Sequence, residues 1–102
     1  MNNVLQVARY IITKMDEPIS KNKLQDLVCW SQRLSMAWDE VKLFNEDIEV
    51  TSDGPICKVL SNKYKDLTII DKDFLKDIDI EDVFNEDQLG TMNSVIKYRK
   101  DK

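Results

Sequence analysis

Residues 19–38, ISKNKLQDLVCWSQRLSMAW, carry the clearest helical pattern of the chain. Ser20 is a favourable N-cap residue, and Ile19 before it together with Leu24 after it forms the arrangement of a hydrophobic staple. Apolar residues then recur at helical spacing, namely Leu24, Leu27, Val28, Leu34 and Trp38. The pattern predicts a helix that begins at Lys21 and ends near residue 38. Cysteine and tryptophan side chains widen its apolar stripe beyond what one neighbour would cover, which predicts a central position.

Helical patterns also lie at both ends of the chain. Residues 3 to about 14 are predicted to form an amphipathic helix that ends at Asp16-Glu17-Pro18; its apolar positions are Val4, Val7, Ala8, Ile11, Ile12 and Met15. Asn85 and Gln88 resemble a capping box that starts a terminal helix with Leu89, Met92, Val95, Ile96 and Tyr98.

The middle of the chain is less regular. Residues 47–52 alternate between apolar and polar, which predicts a short strand before the break at Asp53-Gly54-Pro55. Pro55 is predicted to lie in the first turn of a third helix, which carries Ile56, Val59, Leu60 and Tyr64. Residues 67–70 form a second candidate strand that would pair with 47–52, and residues 71–85 are expected to form one or two short helical turns.

Composition supports one mainly helical domain. The 102 residues are 42% hydrophobic and 33% charged, with only two glycines and two prolines. Such a chain is expected to fold, and scarce turn residues favour long helices over many short strands. We therefore predict a mainly α fold, a single compact domain over residues 1–102 with about four to five helices and an optional short two-stranded β element.

Residue types that catalysis usually requires are missing. The chain has no histidine, so it cannot form a Ser-His or Cys-His nucleophile pair. Cys29 and Cys57 form no CxxC motif and are predicted to be reduced and buried. The acidic run after Asp71 lacks EF-hand spacing, and Gly54 alone does not make a phosphate-binding loop. We expect no enzyme activity, no metal and no cofactor.

Charge is distributed unevenly along the chain. The net charge is -4, and residues 46–87 hold thirteen acids and five bases. The basic residues Lys97, Arg99, Lys100 and Lys102 suit the end of a helix, so direct nucleic-acid binding is not expected. No apolar run approaches the roughly 18 residues of a membrane span, and the N-terminus lacks signal-peptide features. These features predict a cytoplasmic protein without a membrane partner.

Several motifs resemble the Panacea domain, formerly a domain of unknown function seen in phage-associated proteins. They are Val7-Ala8-Arg9-Tyr10-Ile11-Ile12, Ile19 to Gln25 running on to Trp30-Ser31-Gln32 and Ala37-Trp38, Phe44 to Glu49 followed by Asp53-Gly54-Pro55-Ile56, and Val95-Ile96-Lys97-Tyr98. The resemblance implies a mainly helical antitoxin that neutralises a toxin by direct binding.

The chain departs from the family pattern at three places. Cys29-Trp30 replaces the usual aromatic pair of the central helix, and Asp26 stands where a basic residue is common. The chain also stops at Lys102 without the family's later histidine and Pro-Trp segment. A changed partner is one consequence that these departures suggest.

The functional prediction is a protein-binding inhibitor, with an antitoxin as the first hypothesis. The alternative is a phage or mobile-element inhibitor of a host defence nuclease, similar to an anti-CRISPR protein, whose acids imitate nucleic-acid phosphates. A regulator, a structural protein and an unrecognised enzyme stay open, as does the oligomeric state. The predicted partner-binding residues are Trp30, Gln32, Trp38, Gly54 and Pro55 from the matching motifs, and Asp77, Asp79, Glu81 and Asp82 for electrostatic steering; burial of both tryptophans in the core is the competing explanation.

Overall fold

A computed structural model of the chain describes residues 2–52 and 54–99. Within these ranges the fold is mainly α, as predicted, with four helices and two small antiparallel sheets. The helices are α1 (Val4–Thr13), α2 (Lys21–Asp39), α3 (Lys58–Tyr64) and α4 (Glu86–Arg99). The strands are β1 (Ile19–Ser20), β2 (Ile48–Thr51), β3 (Gly54–Cys57) and β4 (Ile69–Ile70).

Side-chain caps begin three helices, and two of these caps, at Ser20 and Asn85, were predicted. The Ser20 hydroxyl accepts a hydrogen bond of 3.0 Å from the Lys23 amide at the start of α2. Asn85 and Gln88 form the predicted capping box of α4, with reciprocal bonds of 2.8 and 2.9 Å. Asn3 caps α1 through a similar box with Gln6. These side chains satisfy amides that the first helical turn leaves without partners.

The predicted strand pairing is wrong. β2 pairs with β3, in the register Ile48 with Cys57 through Thr51 with Gly54, and β4 pairs with β1. Residues 54–57 are therefore a strand, and α3 begins at Lys58 rather than at Pro55. The hairpin closes at the pair of Thr51 with Gly54, whose φ of 111° is a conformation that favours glycine.

Residues 71–85 form turns rather than a continuous helix. The Phe74 amide donates to the Asp71 carbonyl and the Ile78 amide donates to the Leu75 carbonyl, both across three residues. Leu75 and Asp82 have left-handed φ angles of 59° and 58°. These conformations interrupt right-handed helix growth, so the segment crosses the surface as successive turns.

One hydrophobic cluster includes side chains from every helix. Its most deeply buried members include Val7, Ile11, Leu24, Leu27, Val28, Leu60 and Met92. α2 contacts α1, α4 and β3, so the predicted central position of this helix is confirmed. Both cysteines are free and buried, as predicted. No helix in the described ranges is long and apolar enough to cross a membrane.

Candidate protein-binding groove

A groove of about 300 Å³ lies between α2 and the β2–β3 hairpin. Its lining is mostly apolar and consists of Cys29, Trp30, Gln32, Arg33, Met36, Ile48 and Pro55. Gln32, Arg33 and Met36 follow Cys29 by three, four and seven positions, so these residues lie along one side of α2, and Trp30 lies beside them. The hairpin supplies the opposite wall because two buried glutamines of α2 fix the segments that follow this helix.

Gln25 holds the hairpin in place. Its side-chain oxygen accepts a 3.0 Å hydrogen bond from the Cys57 amide, and its side-chain nitrogen donates to the Cys57 carbonyl at 3.1 Å. The same nitrogen donates to the Tyr64 hydroxyl at 2.9 Å. Gln25 therefore pairs with the outer edge of β3 as a neighbouring strand would, and joins this edge to α2 and α3.

Gln32 holds the connection that leads from α2 to the hairpin. Its side-chain oxygen accepts hydrogen bonds from the Leu43 and Phe44 amides at 2.7 and 3.2 Å, and its nitrogen donates to the Phe44 carbonyl at 2.8 Å. Only 8% of Gln32 is exposed. Because its amide already bonds to the main chain, the observed role of Gln32 is to shape the groove; its predicted contact with a partner stays a prediction.

Trp30 is partly buried, and two guanidinium groups lie over its indole ring. Arg33 Cζ is 4.8 Å and Arg99 Cζ is 4.4 Å from the ring centroid. Arg99 also forms a two-point ion pair with Asp26, with distances of 3.1 and 3.0 Å. The carboxylate at position 26, one of the departures from the Panacea pattern, thus pairs with α4 and helps to position the base that covers Trp30.

Arg33 brings a positive charge to the groove. Its side chain is exposed, and it makes no ion pair with any residue in ranges 2–52 and 54–99. A cation beside an apolar groove favours a partner that presents a carboxylate next to an apolar anchor.

The hairpin extends the apolar surface beyond the groove. Val50 is 87% exposed and pairs with Pro55, which is itself exposed. Cross-strand partners and residues two apart share one face of a sheet, so Ile48, Val50 and Pro55 lie on the same face. Gly54 adjoins this face and supplies the backbone conformation of the turn.

The predicted contact residues are therefore only partly brought together. Trp30, Gln32 and Pro55 line the groove, whereas Trp38 is 57% exposed near the end of α2 and does not line it. Sequence reasoning missed Arg33, Met36 and Val50 as members of this surface. Helical spacing from Cys29, by four and seven residues, could have found the first two, but nothing in the sequence shows which face of β2 lies beside α2.

The four predicted steering acids, Asp77, Asp79, Glu81 and Asp82, are all exposed and do not line the groove. None forms an ion pair within the described part of the chain. Asp79 accepts a 2.9 Å hydrogen bond from the Glu81 amide, which stabilises the local turn. Their charges are available to a basic partner.

The buried thiols are not suited to nucleophilic chemistry. Burial, and then the charge of the neighbouring Cys57, raises the pKa of Cys29 to about 12. Burial also raises the pKa of Cys57. Both groups are therefore protonated at neutral pH, and a thiol is a poor nucleophile compared with a thiolate. Among the described residues, no group of three or more histidine, cysteine or acidic side chains is placed to hold a metal ion.

No family model matches the chain, and neither a curated protein nor a solved structure matches it. The resemblance to the Panacea domain thus stays a prediction from the residues. The groove between α2 and the hairpin is the feature on which a functional argument rests.

Proposed function

We propose that the chain is a protein-binding inhibitor that holds its partner through the groove between α2 and the β2–β3 hairpin. The groove itself carries this proposal, because it combines an apolar lining with exposed side chains on both walls. Met36 is 44% exposed on the α2 wall, and Val50 is 87% exposed beside the other. Anchored apolar contacts with a central aromatic residue are typical of protein interfaces.

Within this class, we propose an antitoxin that binds and neutralises its toxin directly in the cytoplasm. The motifs shared with the Panacea domain support this assignment. Trp30 and Pro55 belong to those motifs and also line the groove. A groove preorganised by Gln25 and Gln32 suits an inhibitor, since little ordering is required when the partner binds.

A growth-rescue assay with a charged residue introduced into the groove tests this function. The neighbouring toxin gene is expressed with the chain carrying Met36→Lys, and rescue is compared with that of the unaltered chain. Met36→Lys is expected to abolish rescue, because binding would bury an unpaired ammonium group close to Arg33, which lies three residues away on α2. Val59→Lys is the matched control, since Val59 is 41% exposed on α3 and does not line the groove. Equal rescue by both variants would contradict the proposed surface.

An inhibitor of a host defence nuclease is the second candidate function. The exposed acids in residues 77–82, without ion pairs in the described chain, favour it. A dense negative surface accelerates association with a basic nucleic-acid cleft, and the effect weakens as salt increases.

Neutralising these acids separates the second candidate from the first. The fourfold variant Asp77→Asn, Asp79→Asn, Glu81→Gln and Asp82→Asn is expected to lose inhibition of target-DNA cleavage by an RNA-guided nuclease of the host. The control variant neutralises four exposed acids elsewhere, Glu17, Asp39, Glu40 and Asp66. An equal loss of inhibition in both variants would show that only the net charge matters. If the unaltered chain does not inhibit cleavage, this candidate function is rejected.

A further inference from the structure

Along the outer edge of β2, the main-chain groups of Ile48 and Val50 have no hydrogen-bond partner within residues 2–52 and 54–99. Two residues separate Thr51 from Gly54, the pair that closes the hairpin. The closing pair of such a connection is hydrogen-bonded, and hydrogen-bonded and non-hydrogen-bonded pairs then alternate along the strands. Val50 and Ile48 consequently occupy non-hydrogen-bonded positions, so their N–H and C=O groups point away from β3.

The other edge of the hairpin is satisfied. At the corresponding positions of β3, the Cys57 main chain bonds to Gln25, and Pro55 has no N–H group. The Pro55 carbonyl accepts a contact of 3.7 Å from the Cys29 thiol. One edge of this two-stranded sheet is therefore closed by α2 and the other is open.

β2 is only four residues long and carries the charged Glu49, but it lacks the other features that protect exposed strand edges. Its sequence, Ile48-Glu49-Val50-Thr51, contains no proline and no lysine, and its register with β3 is regular without a bulge. Val50, a β-branched residue at the centre of this edge, is 87% exposed. An edge of this kind is a template for another strand.

We propose that the open edge of β2 takes up an extended segment of the partner protein as a third strand. This inference rests on the proposed protein-binding function and specifies how the partner is recognised. The main-chain groups of Ile48 and Val50 bind the segment. Its side chains on the groove face are apolar, because they continue the surface of Ile48, Val50 and Met36. On the opposite face, Glu49 is half exposed and forms an ion pair of 3.4 Å with Lys58, and a basic side chain of the segment shares its carboxylate.

Charge disfavours a second copy of this chain as the third strand. Two copies of β2 can pair antiparallel through their open edges. The outward main-chain groups of residues 48 and 50 bond to each other only in the register that places residue 48 of one copy opposite residue 50 of the other. This register places Glu49 opposite Glu49 at a non-hydrogen-bonded pair, where side chains are closest. Like charges at such a position destabilise the pairing, and the Glu49–Lys58 ion pair offsets this only weakly because both side chains are exposed to solvent. A basic residue of a partner segment at this position stabilises the pairing instead.

Selection from a displayed library of random nine-residue peptides tests the proposal on the intact chain. Enriched peptides are expected to alternate apolar residues with a basic residue. Val50→Pro removes the outward N–H and is expected to weaken binding of the selected peptides about tenfold or more, as loss of one hydrogen bond at a desolvated edge predicts. Val50→Thr keeps both the N–H and the side-chain shape, and is expected to retain most of the affinity.

Hydrogen exchange supplies a second measurement that does not depend on folding of the proline variant. Peptide binding is expected to slow exchange of the Ile48 and Val50 amides, and N-methylation of the peptide amides that face β2 is expected to abolish binding. Failure to enrich any peptide, equal binding by Val50→Pro, or unchanged exchange at both amides overturns the proposal. Dimerisation of the chain in the absence of peptide, with slow hydrogen exchange at the Val50 amide, also overturns the proposal and identifies a second copy of the chain as the third strand. If rescue of growth from the toxin requires Met36 but is unchanged by Val50→Pro, only strand addition is rejected and the proposed function stands.

Discussion

Gln25 and Gln32 lie seven residues apart on α2, and each uses its side-chain amide in place of a main-chain partner. Gln25 pairs with the edge of β3, and Gln32 pairs with residues 43–44. Both are buried, although glutamine is usually a surface residue. A buried amide of this kind specifies position, because the groups that it satisfies would be costly to leave unpaired.

Gln32→Ala tests whether this residue shapes the groove by holding the main chain. We expect the free energy of unfolding to fall by about 2–4 kcal/mol, because two buried amides and one carbonyl lose their partner. Asn22→Ala, in an exposed position of the same helix, serves as the control. Urea denaturation measures both. A change below about 0.5 kcal/mol for Gln32→Ala would show that these hydrogen bonds contribute little to stability.

The Cys29 thiol makes stability depend on alkaline pH. Its pKa rises from 9.0 to about 12 on folding because the group is buried. Between these values the unfolded thiol loses its proton and the folded thiol keeps it, so the free energy of unfolding falls as pH increases. Cys57 and Tyr64, whose pKa values burial also raises, act in the same direction.

Cys29→Ala is therefore expected to flatten the decline in stability between pH 9 and pH 12 relative to the unaltered chain. Urea denaturation at several pH values gives the comparison, and groups common to both proteins cancel in the difference. Parallel curves over this range would mean that the thiol ionises equally well in the folded protein.

At the scale of the elements, the hairpin is the part for which local pattern gives the wrong assignment. Alternation in residues 47–52 correctly predicts β2, but the same kind of reasoning places Pro55 at a helix start and misses its role in β3. Proline fits both environments, since a first helical turn and a non-hydrogen-bonded strand position alike require no N–H group. The positive φ of Gly54 suits the end of a hairpin connection, and the pairing of Thr51 with Gly54 places Pro55 in β3.

The two glycines provide a matched pair of variants. Gly54→Ala is expected to destabilise the protein by about 1–3 kcal/mol, because φ of 111° is strained for any residue with a Cβ atom. Gly90 lies inside α4 with open space around its Cα, so Gly90→Ala is expected to stabilise the protein by roughly 0.5–1 kcal/mol. Thermal unfolding monitored by circular dichroism checks both, and a stabilising Gly54→Ala would contradict the assigned turn.

At the scale of the molecule, all four helices contribute to one hydrophobic cluster. A single small core usually unfolds in one cooperative step. Trp30 reports on the junction of α2 and α4, because the Arg99 guanidinium lies over its ring. Far-ultraviolet circular dichroism reports on the helices together.

Urea unfolding of the Trp38→Phe variant is expected to give the same midpoint by tryptophan fluorescence and by circular dichroism. In this variant Trp30 is the sole source of tryptophan emission. An earlier fluorescence midpoint would show that α4 separates from α2 before the remaining helices unfold, and would contradict a single cooperative unit.

Features that depend on neighbours along the chain follow from the amino-acid sequence alone. Ser20 and the Asn85–Gln88 pair mark helix starts because capping is local, and helical spacing identifies the buried side of α2 because the period of a helix is fixed. The absence of histidine likewise excludes the commonest catalytic arrangements, because these arrangements use imidazole as their general base.

The strand pairing and the groove depend on tertiary packing instead. β1 meets β4, and Met36 and Arg33 meet Ile48 and Pro55, across intervals that no local pattern encodes. Gln25 and Gln32 acquire their roles only when distant main-chain groups are buried beside them and need partners. These contacts depend on how the elements pack in three dimensions, so the candidate surface emerges from the fold although its individual residues are visible in the sequence.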